Sequence, residues 1–274
     1  MRFLKGHGTE NDFVLLPDAD GTRVGDLDPA LVARLCDRRA GLGGDGVLRV
    51  VRTAKYDDPA AVAARGEAEW FMDYRNADGS TSEMCGNGIR VFGRYLVDHE
   101  GADPSRPLPV GTRAGTKVLT FEGDLVGVDM GEPAVRGETK VAVGARSWPA
   151  THVSMGNPHA VAFVDDLADA GPLLEPPAHD EGEYPDGVNV EFVVRRGDAH
   201  VAIRVHERGS GETRSCGTGA CAVMVAAALA DGAGPGTTYR VDVPGGRLDV
   251  TWTQEGRVVL TGPAVLVAEG EWTA

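Results

Sequence analysis

"MCGNGIRVFG" occupies residues 84–93 and "SCGTGACAVM" occupies residues 215–224. Each holds Cys-Gly-x-Gly at the head of an apolar run, and the two cysteines, Cys85 and Cys216, stand 131 positions apart. What lies upstream repeats as well. A strand-like segment ending in DYRNADGS precedes Cys85, with Asn76 nine residues before the thiol. One ending in RVHERGSGE precedes Cys216, with Glu207 nine residues before it. Further back, HGTENDF (7–13) and SMGNPHAV (154–161) each set an asparagine at a glycine-containing strand edge. The chain therefore reads as two similar halves, each a strand, a polar turn, Cys-Gly-x-Gly and a helix.

Outward from these motifs, short apolar runs predict many strands: 13–17, 46–52, 68–75, 117–123, 125–130, 151–156, 159–164, 188–196, 199–208, 239–244, 247–252 and 257–272. Helices are fewer. PALVARLCDRR (29–39) has amphipathic spacing, Asp28 as a cap and Cys36 on its apolar face. The second helix, 87–99, ends before Gly101, and the third, 218–230, ends before Gly232. The third is apolar on every side and must be buried. Arg90 and Arg94 are assigned to the surface of the second. Pro and Gly in RPLPVGTRAGTKV (106–118) mark a candidate boundary, 56–69 reads as a surface insertion, and the acidic, Pro-rich 175–187 reads as a surface loop.

The 274 residues allow one large domain or two, and 42% hydrophobic residues supply a substantial core. A formal charge of −14 argues against nucleic acid and against docking on an anionic membrane. No signal-peptide pattern or membrane-length apolar run is present, so a cytoplasmic location is expected. The four cysteines form no C-x-x-C pair and no zinc-type spacing, so no metal is expected and the thiols are read singly.

A thiol at a helix N-terminus faces free backbone N–H groups and the positive end of the dipole, which lowers its pKa. Glycines allow close approach to a ligand, and the same N–H groups can hold a carboxylate. Two such helix ends suit removal of a proton from a carbon beside a carboxylate and return of a proton to its other face. The carbanion would delocalise onto the carboxylate, where the N–H groups stabilise it. Either cysteine alone reads equally as a small apolar residue before a buried helix. The repetition, with a polar residue at the same offset, favours the two-base reading.

The motifs HGTENDF, GLGGDG (41–46), YRNADGS (74–80), EMCGNGIR (83–90), SMGNPHAV, GVNVEFV (187–193) and HERGSGETRSCGTGAC (206–221) occur in this order. In that combination the chain resembles the diaminopimelate epimerases, which interconvert LL- and meso-diaminopimelate in lysine and cell-wall precursor biosynthesis. The resemblance implies an α/β (α+β) fold of two pseudosymmetric domains, each a mainly antiparallel sheet wrapped around a central helix. The halves would be 1–122, completed by about 264–274, and 123–263. It implies catalysis by Cys85 and Cys216 with His159 and Glu207 assisting, no cofactor, a small-molecule substrate and a homodimer. Gly86, Asn87, Gly217 and Thr218 would present N–H groups to the reacting carboxylate. Asn11, Asn76, Asn157, Asn189, Glu207 and Arg208 would hold the rest of the substrate. No contact is assigned to the GLGGDG loop.

Read without the resemblance, Glu207–Arg208 could be a surface pair at a strand end, His159 a turn residue, and the asparagines ordinary turn formers. The first motif usually has Gly where this chain has Glu10, so a positive φ there would carry a backbone penalty. The alternatives are a proline or hydroxyproline racemase of the same architecture, which would have no evident use for Arg208, and a non-catalytic amino-acid-binding protein, which would need no thiols. A redox or thiolate-metal protein is disfavoured by the ligand spacing.

Overall fold

The structure, a computed structural model, describes residues 1–273. The chain divides into two compact units, Met1–Val128 with the segment from Gly262, and Asp129–Thr261.

The first unit contains β1 (Arg2–Gly8), β2 (Asn11–Pro17), α1 (Pro29–Cys36), β3 (Gly46–Arg52), α2 (Pro59–Ala63), β4 (Trp70–Asn76), α3 (Gly86–Glu100), β5 (Leu108–Thr112), β6 (Gly115–Glu122) and β7 (Leu125–Gly131). The second contains β8 (Ala134–Val143), β9 (Arg146–Ser154), β10 (Pro158–Phe163), β11 (Asn189–Gly197), β12 (His200–Glu207), β13 (Gly211–Thr213), α4 (Gly217–Ala230), β14 (Thr237–Val243), β15 (Gly246–Trp252) and β16 (Val258–Pro263). The last strand, β17 (Val265–Glu271), pairs with β1 and so belongs to the first unit.

The repeat read from the motifs extends to the sheets. In the first unit the strand order is β17-β1-β2-β3-β4-β5-β6-β7. In the second it is β8-β9-β10-β11-β12-β14-β15-β16. β2/β3 and β4/β5 are parallel in the first, and β10/β11 and β12/β14 in the second, at the same places in the order. A parallel step needs a crossover. The crossovers β4-α3-β5 and β12-α4-β14 carry the two Cys-Gly-x-Gly helices.

Register fixes which residues correspond. Phe13 pairs with Gly46 and Gly46 with Asn76. His159 pairs with Asn189, and the β11/β12 register, Val190 to His206, sets Asn189 beside Glu207. Phe13 therefore corresponds to His159, Leu48 to Glu191 and Asn76 to Glu207.

Each sheet packs around its helix. α3 lies against β1, β2, β3, β4 and β17, and α4 against β9, β10, β11, β14 and β15. α4 is buried from Ala220 through Ala228, as its all-apolar sequence requires. Arg90 departs from its expected surface position: it has no exposure, because the sheet leaves α3 no outer face at that turn. Its Nη1 donates to the Gly86 carbonyl at 3.1 Å. A Cβ at Gly8 would stand 2.9 Å from Arg90 Nη2, so glycine lets the end of β1 approach the helix. Arg94 is partly buried and donates to the Gly123 carbonyl at 2.9 Å.

Other expectations shift in detail. α1 is capped by Asp28, whose carboxylate accepts from Ala30 N, and Cys36 is buried beside Val32 and Leu35. It stops at Cys36 because the Asp37 carboxylate takes the N–H groups of Arg39 and Ala40. The candidate boundary at 106–118 is instead the β5/β6 hairpin. The 56–69 insertion is not purely superficial: its helix α2 packs Ala61 against Val51 and Phe71, and Arg113 ties Asp58 to Asp73 at 2.9 and 2.8 Å. The 175–187 loop is largely exposed but buries Tyr184. β1 and β2 are joined by a two-residue turn in which Thr9 (φ 49°) and Glu10 (φ 62°) are both left-handed. The penalty foreseen for Glu10 is therefore present. No helix among the described residues is long and apolar enough to cross a membrane.

Candidate active site

In the first unit Cys85 is the N-cap of α3, in extended backbone geometry, and its Sγ accepts from Gly88 N at 3.5 Å. The thiol is 3.5 Å from Asn11 Oδ1, which also accepts from Asn87 Nδ2 at 3.1 Å. Asn11 lies immediately after the left-handed turn. Its Nδ2 donates to Asp45 Oδ2 at 2.6 Å, so the GLGGDG loop orients the amide and turns its oxygen toward Cys85. Arg38 holds Asp45 in turn, at 2.7 Å. Asn76 donates to Ser80 Oγ at 3.0 Å within its own turn. Gly86 and Asn87 are buried in the first turn of α3.

In the second unit Cys216 is the N-cap of α4, and its Sγ accepts from Gly219 N at 3.4 Å. A continuous set of polar contacts leads away from it. Thr218 Oγ1 is 3.6 Å from Sγ and accepts from Asn157 Nδ2 at 3.4 Å. Asn157 Oδ1 is 3.1 Å from His159 Nε2, and His159 Nδ1 is 2.7 Å from Glu191 Oε1. Glu207 accepts from the Thr213 hydroxyl. Asn189 Oδ1 accepts from Arg208 N at 2.9 Å, while its Nδ2 donates to the Pro158 carbonyl at 3.1 Å. Arg208 is exposed, and its Nη1 donates to the Asp186 carbonyl at 3.3 Å. Gly217 is buried at the start of α4.

The electrostatics of Cys216 overturn one expectation. Burial pushes its thiol well above the ordinary 9.0, and the Glu207 and Glu191 carboxylates push the same way. The Thr218 hydroxyl and Gly219 N–H pull it down without reversing the shift. Desolvation thus outweighs the helix end, and Cys216 rests as a thiol, a proton donor. Burial likewise raises the Glu207 carboxyl above its ordinary 4.5, against hydrogen bonds from Thr213 and Cys216.

Two groups escaped the sequence reading. Asp45 sits in GLGGDG, a loop to which the sequence assigns no contact. Glu191 lies within GVNVEFV, where alternation alone marks a buried strand position and not a carboxylate partner for His159. Among the described residues no group of three or more His, Cys, Asp or Glu side chains is placed to share a metal ion.

Comparison with known proteins gives a consistent result. The family model described as diaminopimelate epimerase matches residues 3–135 and 151–267. A diaminopimelate epimerase of Streptomyces coelicolor is 61% identical, over 99% of this chain and 95% of the relative. Among solved structures, a phenazine biosynthesis protein of Bacillus anthracis has a TM-score of 0.73 at 16% identity, covering 100% of this chain and 99% of its own. A hydroxyproline epimerase from Agrobacterium vitis has a TM-score of 0.67 at 18% identity, covering 98% and 91%. At those identities the two structures speak for the fold alone. By the match to its family model and the identity to its curated relative, the chain belongs to the diaminopimelate epimerase family.

Proposed function

We propose that this chain interconverts LL- and meso-diaminopimelate by a two-base mechanism, with Cys85 and Cys216 acting on opposite faces of the reacting Cα. The observation that carries the reading is the paired geometry. Two thiols occupy corresponding N-cap positions, and each sulfur accepts the N–H of the third residue after it. In one direction the Cys85 thiolate takes the Cα proton and the bond's electron pair moves into the adjacent carboxylate. Cys216 then gives its proton to the other face. The reverse direction exchanges the roles.

The first-turn N–H groups of Gly86, Asn87, Gly217 and Thr218 lie at the positive ends of the two helix dipoles and suit the developing charge on the carboxylate. His159 and Glu207 assist proton movement near the two thiols. Asn11, Asn76, Asn157, Asn189 and Arg208 hold the amino groups and the distal carboxylate. For Arg208 this requires its exposed guanidinium to leave the Asp186 carbonyl, in favour of a bidentate carboxylate pair. Each half of this machinery belongs to one unit. The family resemblance also supports a cytoplasmic homodimer, for which sedimentation should read about twice the 28.7 kDa chain mass.

The test incubates the protein with LL-diaminopimelate in D2O and follows meso product and deuterium at Cα. Cys85→Ala and Cys216→Ala are run alongside. Meso product carrying deuterium, lost in both variants, supports the reading. No exchange with intact thiols would overturn it and direct attention to proline-type substrates.

A further inference from the structure

The two units differ in what lies beneath their thiol-bearing helices. Beneath α3 a Cβ at Gly88 would meet Leu48 Cδ2 at 3.3 Å and Phe13 Cζ at 3.4 Å. Beneath α4 a Cβ at Gly219 would stand 2.6 Å from Glu191 Oε1. His159 and Glu191 take the places of Phe13 and Leu48, and both are fully buried. A phenylalanine–leucine pair fills this space in one unit, so filling it does not require an imidazole and a carboxylate. Burying that pair carries a desolvation cost that the apolar pair avoids. The cost is visible at Glu191 Oε2, which is buried without a hydrogen-bond partner among the described residues.

We infer that Glu191 is a positioning residue for the proton transfers of the reaction, acting through His159. This rests on the epimerase reading above. Glu191 Oε1 grips Nδ1, the ring nitrogen farther along the set of contacts from Cys216, and so fixes the ring plane and the direction of Nε2. The Asn157 amide and Thr218 hydroxyl continue that alignment to the sulfur. An amide does not accept and pass on a proton at ordinary pH, so the set is an orienting chain, not a proton wire. Proton transfer falls to His159 once its ring is aimed. Gly219 supplies the room: any side chain there would strike the carboxylate. The ionisable groups facing or coupled to Glu191 are His159 from β10, Glu207 from β12, Cys216 from α4 and Tyr184 from the loop before β11.

The test is a double-mutant cycle of Glu191→Gln and His159→Asn in the full chain. It is read as kcat and KM for LL-diaminopimelate, with proton NMR of the imidazole N–H. Glu191→Gln keeps the size and an acceptor oxygen but removes the charge. Expected are a loss of about 10–100-fold in kcat, as for other residues that orient a functional side chain, and a KM within about threefold of wild type. The far-downfield resonance of an Nδ1–H bonded to a carboxylate should disappear. In a His159→Asn background the same change should cost nothing further, because Glu191 acts only through His159. Wild-type kcat in Glu191→Gln, or a full loss persisting in the His159→Asn background, would overturn the inference. Should Glu191→Gln fail to fold, Glu191→Asp, which keeps the charge and shortens the reach, carries the same cycle. A wild-type protein that does not turn over diaminopimelate sinks the proposed activity instead. The NMR signal then still decides whether Glu191 holds His159.

Discussion

Replacing Gly219 and Gly88 by alanine, one at a time, makes a controlled experiment inside one molecule. Both glycines are the third residue after an N-cap cysteine, in the first turn of a buried helix. Alanine gains up to about 1 kcal/mol over glycine in a helix. At 88 the new methyl group would lie 3.3 Å from Leu48 Cδ2 and 3.4 Å from Phe13 Cζ, contacts that a small side-chain shift relieves. The expected outcome for Gly88→Ala therefore lies between no change and about 1 kcal/mol of stabilisation. At 219 it would lie 2.6 Å from Glu191 Oε1 and 3.2 Å from Cys216 Cβ. The carboxylate must retreat by roughly half an ångström, and its 2.7 Å bond to His159 lengthens beyond good geometry. A hydrogen bond to a charged group contributes about 1.5–3 kcal/mol, so the net effect of Gly219→Ala is a loss of about 1–2 kcal/mol. Loosening the hold on His159 in this way should also lower kcat. Urea denaturation, compared as midpoints because two units need not unfold together, measures the stability difference. Equal midpoints for the two variants, or a more stable Gly219→Ala, would refute the placement of Glu191 beneath α4.

Three further outcomes are expected. Converting His159→Phe with Glu191→Leu gives the second unit the pair the first unit carries; it should match or exceed wild-type stability in urea, by up to about 4 kcal/mol, while turnover falls sharply. Glu10→Gly removes a left-handed side chain from the β1/β2 turn and should stabilise by about 0.5–1 kcal/mol, read as a raised thermal midpoint; an unchanged or lowered midpoint counts against the strain. Burial holds the Glu207 carboxyl above its ordinary 4.5, so the folded state binds that proton more tightly than the unfolded chain and loses stability as pH rises from 4.5 through the raised value. Glu207→Gln should remove this loss, seen as a smaller fall in urea midpoint between acid and neutral pH than wild type shows. An identical fall in both proteins would contradict the shift.

Several features follow from sequence because their causes are local. An N-cap, an apolar helical face and a helix-ending glycine act within a few residues of each other. The two thiol-capped helices, α1 with its Asp28 cap, and the matching offsets of Asn76 and Glu207 are legible for that reason. The strain at Glu10 was legible only through the resemblance, whose first motif has Gly at that position; the two-residue hairpin that imposes the left-handed dihedrals is seen in the fold. Edge strands were harder to read: β8 has a single buried position, Val141, so it lacks the alternation that betrays a half-buried strand. Tertiary structure alone decided the rest. Arg90 is buried because strands distant in sequence close around α3. Asp45 reaches Asn11 across 33 intervening residues, and Glu191 reaches His159 across 31, through strand register that no local pattern encodes. The same crowding decides the resting state of Cys216. The helix end favours its thiolate, but desolvation and two nearby carboxylates act more strongly, and only the folded chain brings them together.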